Sequence, residues 1–194
     1  MHTTRPDTAL KGLAKSLNAT LIAIGLAIAP IAAADDSRGG AATAEAKVTY
    51  SFMPVSAESR GCDGAGCGGY DSPRHGRLHM AHDYVLPPGQ PVIASIDGTV
   101  ASIGYPYAGN TDLMLVAIRS DDGRLVCRAL YVRPTVKLGT QVKMGAVIGI
   151  AQNPALAHPG KKMLPHVHQD CSIDGKRIDV ERDPRFLLVP YAGD

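Results

Sequence analysis

Residues Gln90–Gly104 read QPVIASIDGTVASIG, and this stretch decides the fold class. Two short apolar runs flank Asp97-Gly98, a dipeptide that favours the positive φ angles of a tight two-residue turn. The pattern predicts a hairpin. Working outward, the signal repeats. LMLVAIRS (Leu113–Ser120) leads through Asp121-Asp122-Gly123 into RLVCRALYV (Arg124–Val132). VKMGAVIGIA (Val142–Ala151) follows, and HVHQDCSI (His166–Ile173) meets another turn at Asp174-Gly175 before KRIDV (Lys176–Val180). Short alternating runs punctuated by D-G turns predict a mostly β protein, a two-sheet antiparallel sandwich or barrel. Only Pro154–Leu156 reads as a possible helical turn.

Composition agrees. The chain has 194 residues, 45% of them hydrophobic, with 21 Gly, 14 Pro, 5% aromatics and no Trp. That suits strands and turns better than a helical bundle. The formal net charge of +2 and the absence of a basic cluster interleaved with aromatics exclude a nucleic-acid binder.

Residues 1–34 read as a signal peptide. Arg5, Lys11 and Lys15 precede an apolar run from Ala19 to Ala34, which ends in Ala32-Ala33-Ala34 before Asp35. Pro30 breaks the run, which is shorter than the roughly 20 residues of a membrane span. The mature protein is expected to be exported, periplasmic or extracellular, and to meet a membrane only through this peptide. Residues 35–59 read as a linker or N-terminal arm with one strand-like run, KVTYSFMPV, and residues 60–190 as the compact domain.

Four cysteines, Cys62, Cys67, Cys127 and Cys171, allow three pairings. Cys62 and Cys67 sit in the glycine-rich loop GCDGAGCGGY, which closes easily on itself and leaves Cys127 for Cys171. The longer bridge is worth roughly 4 kcal/mol in the chain-entropy model. The rival reading is a metal site of Cys62, Cys67 and a histidine; the C-x4-C spacing fits a zinc knuckle poorly, and an exported compartment favours oxidation.

Two patterns carry chemistry. His79 and Asp83 form H-x3-D, and His166 and His168 form H-x-H. In a strand His166 and His168 share one face. Each pattern alone is common; together they are a source of zinc ligands. Three N and O ligands leave a fourth position for water or substrate, the catalytic rather than the structural pattern. His75 and His82 flank the first pattern and read as exposed; His158 reads as a loop residue.

RLHMAHDYVLPPGQPVIASIDGTVASIG, VKLGTQVKMGAVIGIA and PHVHQDCSIDGKRID together resemble the lysostaphin/LytM family of zinc metallopeptidases, over about Arg74–Asp183. The resemblance implies a duplicated hybrid motif of antiparallel sheets and one zinc on His79, Asp83 and His168. It gives His166 a catalytic role and makes peptidoglycan cross-bridge peptides the substrate. One position departs. The family carries a second catalytic histidine where this chain has Leu130, in CRALYVRPTVKLG; losing one such donor costs about 10²–10³ in rate. Tyr131 is adjacent, and in an unbroken strand it points to the other face.

RGCDGAGCGGY, LYVRPTVKLG and HPGKKMLPHVHQDC resemble the leukocyte-derived chemotaxin branch of the same family, which lacks that histidine and binds receptors without cleaving peptides. The branch implies a short C-x4-C loop and a bridge between the strands that carry Cys127 and Cys171. Both cysteines are shifted here by one residue, which flips each to the opposite face and lets the pair meet there. The bacterial type of the signal argues against a cytokine role. A zinc-stabilised domain that binds peptide, glycan or a protein partner is the alternative to an enzyme. Lipoyl and biotin carriers share the QPVIASIDGTV pattern but need no H-x3-D with H-x-H, and no G-x-S-x-G marks a serine hydrolase.

Overall fold

The computed structural model describes residues 47 and 49–192. The expected signal peptide, residues 1–34, lies outside the described residues, as do residues 35–46 of the expected arm. The regular structure of the described chain is almost all strand: β1 (Tyr50–Phe52), β2 (Cys62–Asp63), β3 (Gly66–Cys67), β4 (Pro73–Arg74), β5 (Arg77–Leu78), β6 (His82–Val85), β7 (Pro91–Ile93) and β8 (Gly98–Gly104). There follow β9 (Leu115–Arg119), β10 (Leu125–Leu130), β11 (Val132–Pro134), β12 (Gln141–Val142), β13 (Val147–Ala151), β14 (His166–Ile173), β15 (Lys176–Ile178) and β16 (Phe186–Leu188). One 3₁₀ turn, Pro154–Ala157, begins on an Asn153 side chain that accepts the Ala155 N–H. No helix among the described residues is long and apolar enough to cross a membrane.

Seven strands form the main antiparallel sheet, in the order β12-β8-β9-β10-β14-β15, with β6 also pairing β14. A three-stranded antiparallel sheet runs β11-β13-β7. Two of the runs read above as single strands, RLVCRALYV and VKMGAVIGIA, and the predicted hairpin at Asp97-Gly98 are shared between these sheets. The chain leaves β7 for β8 at Asp97-Gly98, β10 for β11 at Tyr131, and β12 for β13 at Lys143–Ala146. Asp97-Gly98 is therefore a corner between sheets and not the hairpin predicted. Each run has a better partner than its neighbour in sequence: Ile93 pairs with Val147, and Thr99 with Arg119. Gly98 is required at the corner, because a Cβ there would stand 2.1 Å from the Arg119 carbonyl oxygen. Switching sheets at such corners is how packed antiparallel sheets turn.

The other two turns are hairpins. β9 and β10 close through Asp121–Gly123, and β14 and β15 through Asp174-Gly175, both at positive φ (49° and 77°), as a type I′ turn demands. Alternation along β14 then sorts its side chains. Val167, Cys171 and Ile173 enter the hydrophobic core with Val100, Val116, Ile118, Leu125 and Val132, while His166, His168 and Asp170 take the opposite face.

Cys127 and Cys171 are directly opposed in the β10–β14 register and form a disulfide inside the core; Cys62 and Cys67 close the β2–β3 hairpin. Replacing Cys127 and Cys171 together by alanine is expected to lower the unfolding free energy by roughly 4 kcal/mol. The Cys62/Cys67 pair should cost less, because its loop is short. Urea titration of both double variants checks the ranking.

The segment before Arg60 contributes to the packed body. β1 pairs with β16 in parallel, Phe52 and Val55 are fully buried, and the Val55 N–H donates to Gln169 Oε1 at 3.1 Å. The compact body thus begins earlier than residue 60, and among the described residues of KVTYSFMPV the strand is Tyr50–Phe52.

Candidate metal centre

In an unbroken strand His79 and Asp83 share a face but stand about 13 Å apart. Here Met80 takes a positive φ of 56° and ends β5 before β6 begins. The His79 N–H donates to the Ser72 carbonyl and the Met80 N–H to the Tyr70 carbonyl, which holds the kink. His79 Nε2 thereby comes within 3.2 Å of Asp83 Oδ1. β6 and β14 place His168 opposite Asp83, with His168 Nδ1 3.0 Å from Asp83 Oδ1 and 3.0 Å from His79 Nε2. Four tetrahedral bonds of 2.0–2.1 Å separate ligand atoms by about 3.3 Å. The three donors, two imidazoles and a carboxylate, thus have the spacing and chemistry of one zinc coordination sphere.

The remaining nitrogens are held from behind. His79 Nδ1 donates to the Gly69 carbonyl at 3.1 Å, so its Nε2 lone pair faces the centre. His168 Nε2 lies 3.6 Å from Asp170 Oδ2. A hydrogen bond such as that of His79 to Gly69 fixes the tautomer and orientation of a metal-binding imidazole, whereas Asp170 acts on His168 through its charge at a longer distance. Asp170 is buried, and its charge is matched by Arg128, which donates to both oxygens at 2.8 and 2.7 Å, and by Arg177.

Asp83 is 2% exposed. Its outer oxygen, Oδ2, accepts two hydrogen bonds from Arg60, from Nε at 3.2 Å and Nη2 at 2.7 Å. Arg60 is also buried and donates to Asp63 through Nη1 at 2.5 Å. Burial alone raises the Asp83 pKa, but the imidazoles against it, His168 first and then His79, outweigh burial and hold the group far below the usual carboxylate range. The disulfide hairpin crosses close behind. A Cβ at Gly68 would stand 2.4 Å from the Arg60 carbonyl oxygen and 3.0 Å from Asp83 Cβ, so no other residue fits.

His166 stands beside the three donors without joining them. Its Nδ1–H donates to the Leu164 carbonyl at 2.8 Å, which leaves Nε2 unprotonated and 3.7 Å from Asp83 Oδ2. Burial is the largest influence on its pKa and pushes it down, so the imidazole is neutral at neutral pH. Next to it lies a residue that strand alternation misplaces. Tyr131 has φ 69°, the kink at which the chain passes between sheets, and this turns its ring onto the site face. Its ring centroid is 5.3 Å from that of His166, edge to face, and its hydroxyl meets that of Tyr107 at 2.5 Å. Burial, then the Tyr107 contact, pushes the phenol pKa far up, so it stays a neutral donor. A non-glycine residue at positive φ costs about 1–3 kcal/mol and tends to occur at functional sites. Leu130, paired with His168 across the strands, is buried with Leu113, Leu115 and Ala117.

His82 corrects the reading as exposed: it is buried on the face opposite Asp83, with Nε2 2.8 Å from Asp179 Oδ1. His75 is exposed at the β4–β5 turn, and His158 ends the 3₁₀ turn. Arg60, Tyr131 and Asp170 were not singled out in the sequence as site residues. An arginine normally signals solvent, and nothing local shows that Asp83 will be buried against it.

The sequence profile described as Peptidase family M23 matches residues 77–180, more than half of the chain. Leukocyte cell-derived chemotaxin-2 of Bos taurus is 29% identical over 122 residues, covering 62% of this chain and 78% of that protein. Peptidoglycan DD-endopeptidase ShyC of Vibrio cholerae is 31% identical over 117 residues, 60% of this chain but only 24% of the relative. Among solved structures, a zinc containing peptidase from Vibrio cholerae aligns with a TM-score of 0.49 and 26% identity, over 68% of this chain and 39% of its own. The catalytic domain of lysostaphin from Staphylococcus simulans aligns with a TM-score of 0.46 and 23% identity, over 60% and 86%.

Proposed function

Because the chain belongs to peptidase family M23, we propose that it is an exported zinc endopeptidase that hydrolyses cross-bridge peptides of peptidoglycan. One observation carries this reading: a neutral imidazole, His166, is locked with its free nitrogen towards a His-Asp-His cluster of ligand spacing. His79 Nε2, Asp83 Oδ1 and His168 Nδ1 would hold the ion. Zinc bound there supplies a Lewis acid for the scissile carbonyl and makes water more acidic. His166 accepts the proton of the attacking water at Nε2 and returns it to the leaving amine. Its Nδ1–H stays on the Leu164 carbonyl, so the ring keeps one orientation through both transfers. Tyr131, neutral and on the site face, donates its hydrogen to the carbonyl oxygen as negative charge develops there, the task left open by Leu130. The relative ShyC, a peptidoglycan DD-endopeptidase, supports the substrate class. The signal-like residues 1–34 and the two disulfides support export.

The alternative, a zinc-stabilised binding domain, is favoured by Leu130 and by the match to chemotaxin-2. Incubation with purified peptidoglycan and zinc separates the two: release of new amines, abolished by a chelator, is expected. A fully metallated protein that releases none is a binding domain. Tyr131→Phe is expected to lower the rate by about 10² with zinc content unchanged. A rate equal to the parent's removes Tyr131 from the mechanism.

A further inference from the structure

The cleft in front of His79, Asp83 and His166 has a volume of about 250 Å³, and most of the charge lining it is of one sign. Its one carboxylate is Asp83, buried and held by Arg60 and two imidazoles. Of the cations, Arg60 and Arg74 are engaged: Arg60 with Asp83 and Asp63, and Arg74 with the Cys67 carbonyl, 3.9 Å from Asp83. Arg77, on the β4–β5 hairpin, and Lys161, between the 3₁₀ turn and β14, are different. Both are exposed and line the same cleft, and neither has a carboxylate partner among the described residues. The whole chain carries a formal charge of only +2, so this is a local concentration and not an overall basic field.

We propose that the cleft selects an acidic peptide, with Arg77 and Lys161 holding a side-chain carboxylate of the peptide whose backbone lies against His79 and His166. The proposal rests on the peptide-cleaving reading and names its substrate class. The chemistry differs between the two cations. The arginine fork matches both carboxylate oxygens at once, whereas the lysine acts as a point charge of longer reach. A single exposed pair changes affinity by at most about fivefold; two acting on one carboxylate beside a walled cleft give about tenfold.

The test uses zinc-loaded full chain in a His166→Ala background, so that binding is read without turnover. Short end-blocked alanine peptides carrying Glu or Gln at each position in turn are titrated by fluorescence anisotropy. At one position or more, the Glu peptide is expected to bind about tenfold tighter than its Gln twin, and the difference should fade in high salt. Arg77→Ala with Lys161→Ala should abolish the preference, and Arg77→Glu with Lys161→Glu should turn it towards Lys-bearing peptides. Both positions are exposed, so the fold is spared. Equal binding of every Glu and Gln pair, or a preference that survives the double alanine variant, overturns the proposal. Cleavage by the parent chain is scored separately. Cleavage without charge preference overturns this inference and leaves the peptidase reading; charge-selective binding without cleavage does the reverse.

Discussion

Asp83→Ala is expected to empty the metal centre and to cost the fold about 3–5 kcal/mol, even in metal-free protein. Asp83 would supply one of three ligand atoms, and it also stands against a buried arginine. Arg60 is 4% exposed and gives Asp83 two hydrogen bonds. Removing one partner of such a pair leaves a charge in a poorly solvated place, which is the expensive case for a buried ion pair. Asp63 still pairs with Arg60, which puts the cost towards the lower end. Asp83→Ala with Arg60→Leu in the same chain should recover part of the loss, because no lone charge then remains. Metal analysis and urea unfolding with and without chelator check both parts. A variant that keeps one zinc per chain would remove Asp83 from the ligand set, and a cost under about 1 kcal/mol would refute the account of Arg60.

His166→Ala is expected to leave zinc at one per chain while lowering peptide hydrolysis by about 10²–10⁴. The two outcomes are separable because the geometry separates them. His166 Nε2 stands 3.7 Å from the outer oxygen of Asp83, which is not the proposed ligand atom, whereas the three proposed donors lie 3.0–3.2 Å from one another. Loss of zinc in this variant would show that His166 is a ligand. Unchanged hydrolysis would show that the proton is moved elsewhere. A pH–rate profile adds an independent readout. The parent should lose activity as pH falls through the depressed pKa of His166, since the protonated ring cannot accept the water proton, and the residual rate of the variant should lack that limb.

Strand runs and hairpin turns were legible because alternation and turn chemistry are local. The period of two along HVHQDCSI places His166 and His168 on one face and Cys171 on the other, as the structure has them. The D-G turns at Asp121–Gly123 and Asp174-Gly175 close hairpins for the same reason. Asp97-Gly98 looked identical in sequence and is a corner, because pairing between strands far apart in the chain outweighs a turn preference. His82 looked like a solvated neighbour of a site, yet the alternation that exposes Asp83 to the centre buries His82 on the other side against Asp179.

The amino-acid sequence by itself determined the mostly β class, the cysteine chemistry and the residue types able to hold a metal. Each of these follows from side-chain character and from periodicities of a few residues. Only the tertiary structure decided how those residues meet. The positive φ of Met80 brings His79 back onto Asp83, and that of Tyr131 turns a phenol towards His166 beside a leucine. Arg60 reaches the outer oxygen of Asp83 from just before the hairpin that the Cys62–Cys67 disulfide closes. Such kinks and buried ion pairs are held in place by contacts from distant segments, whose combined packing outweighs the local cost, and no local pattern records them.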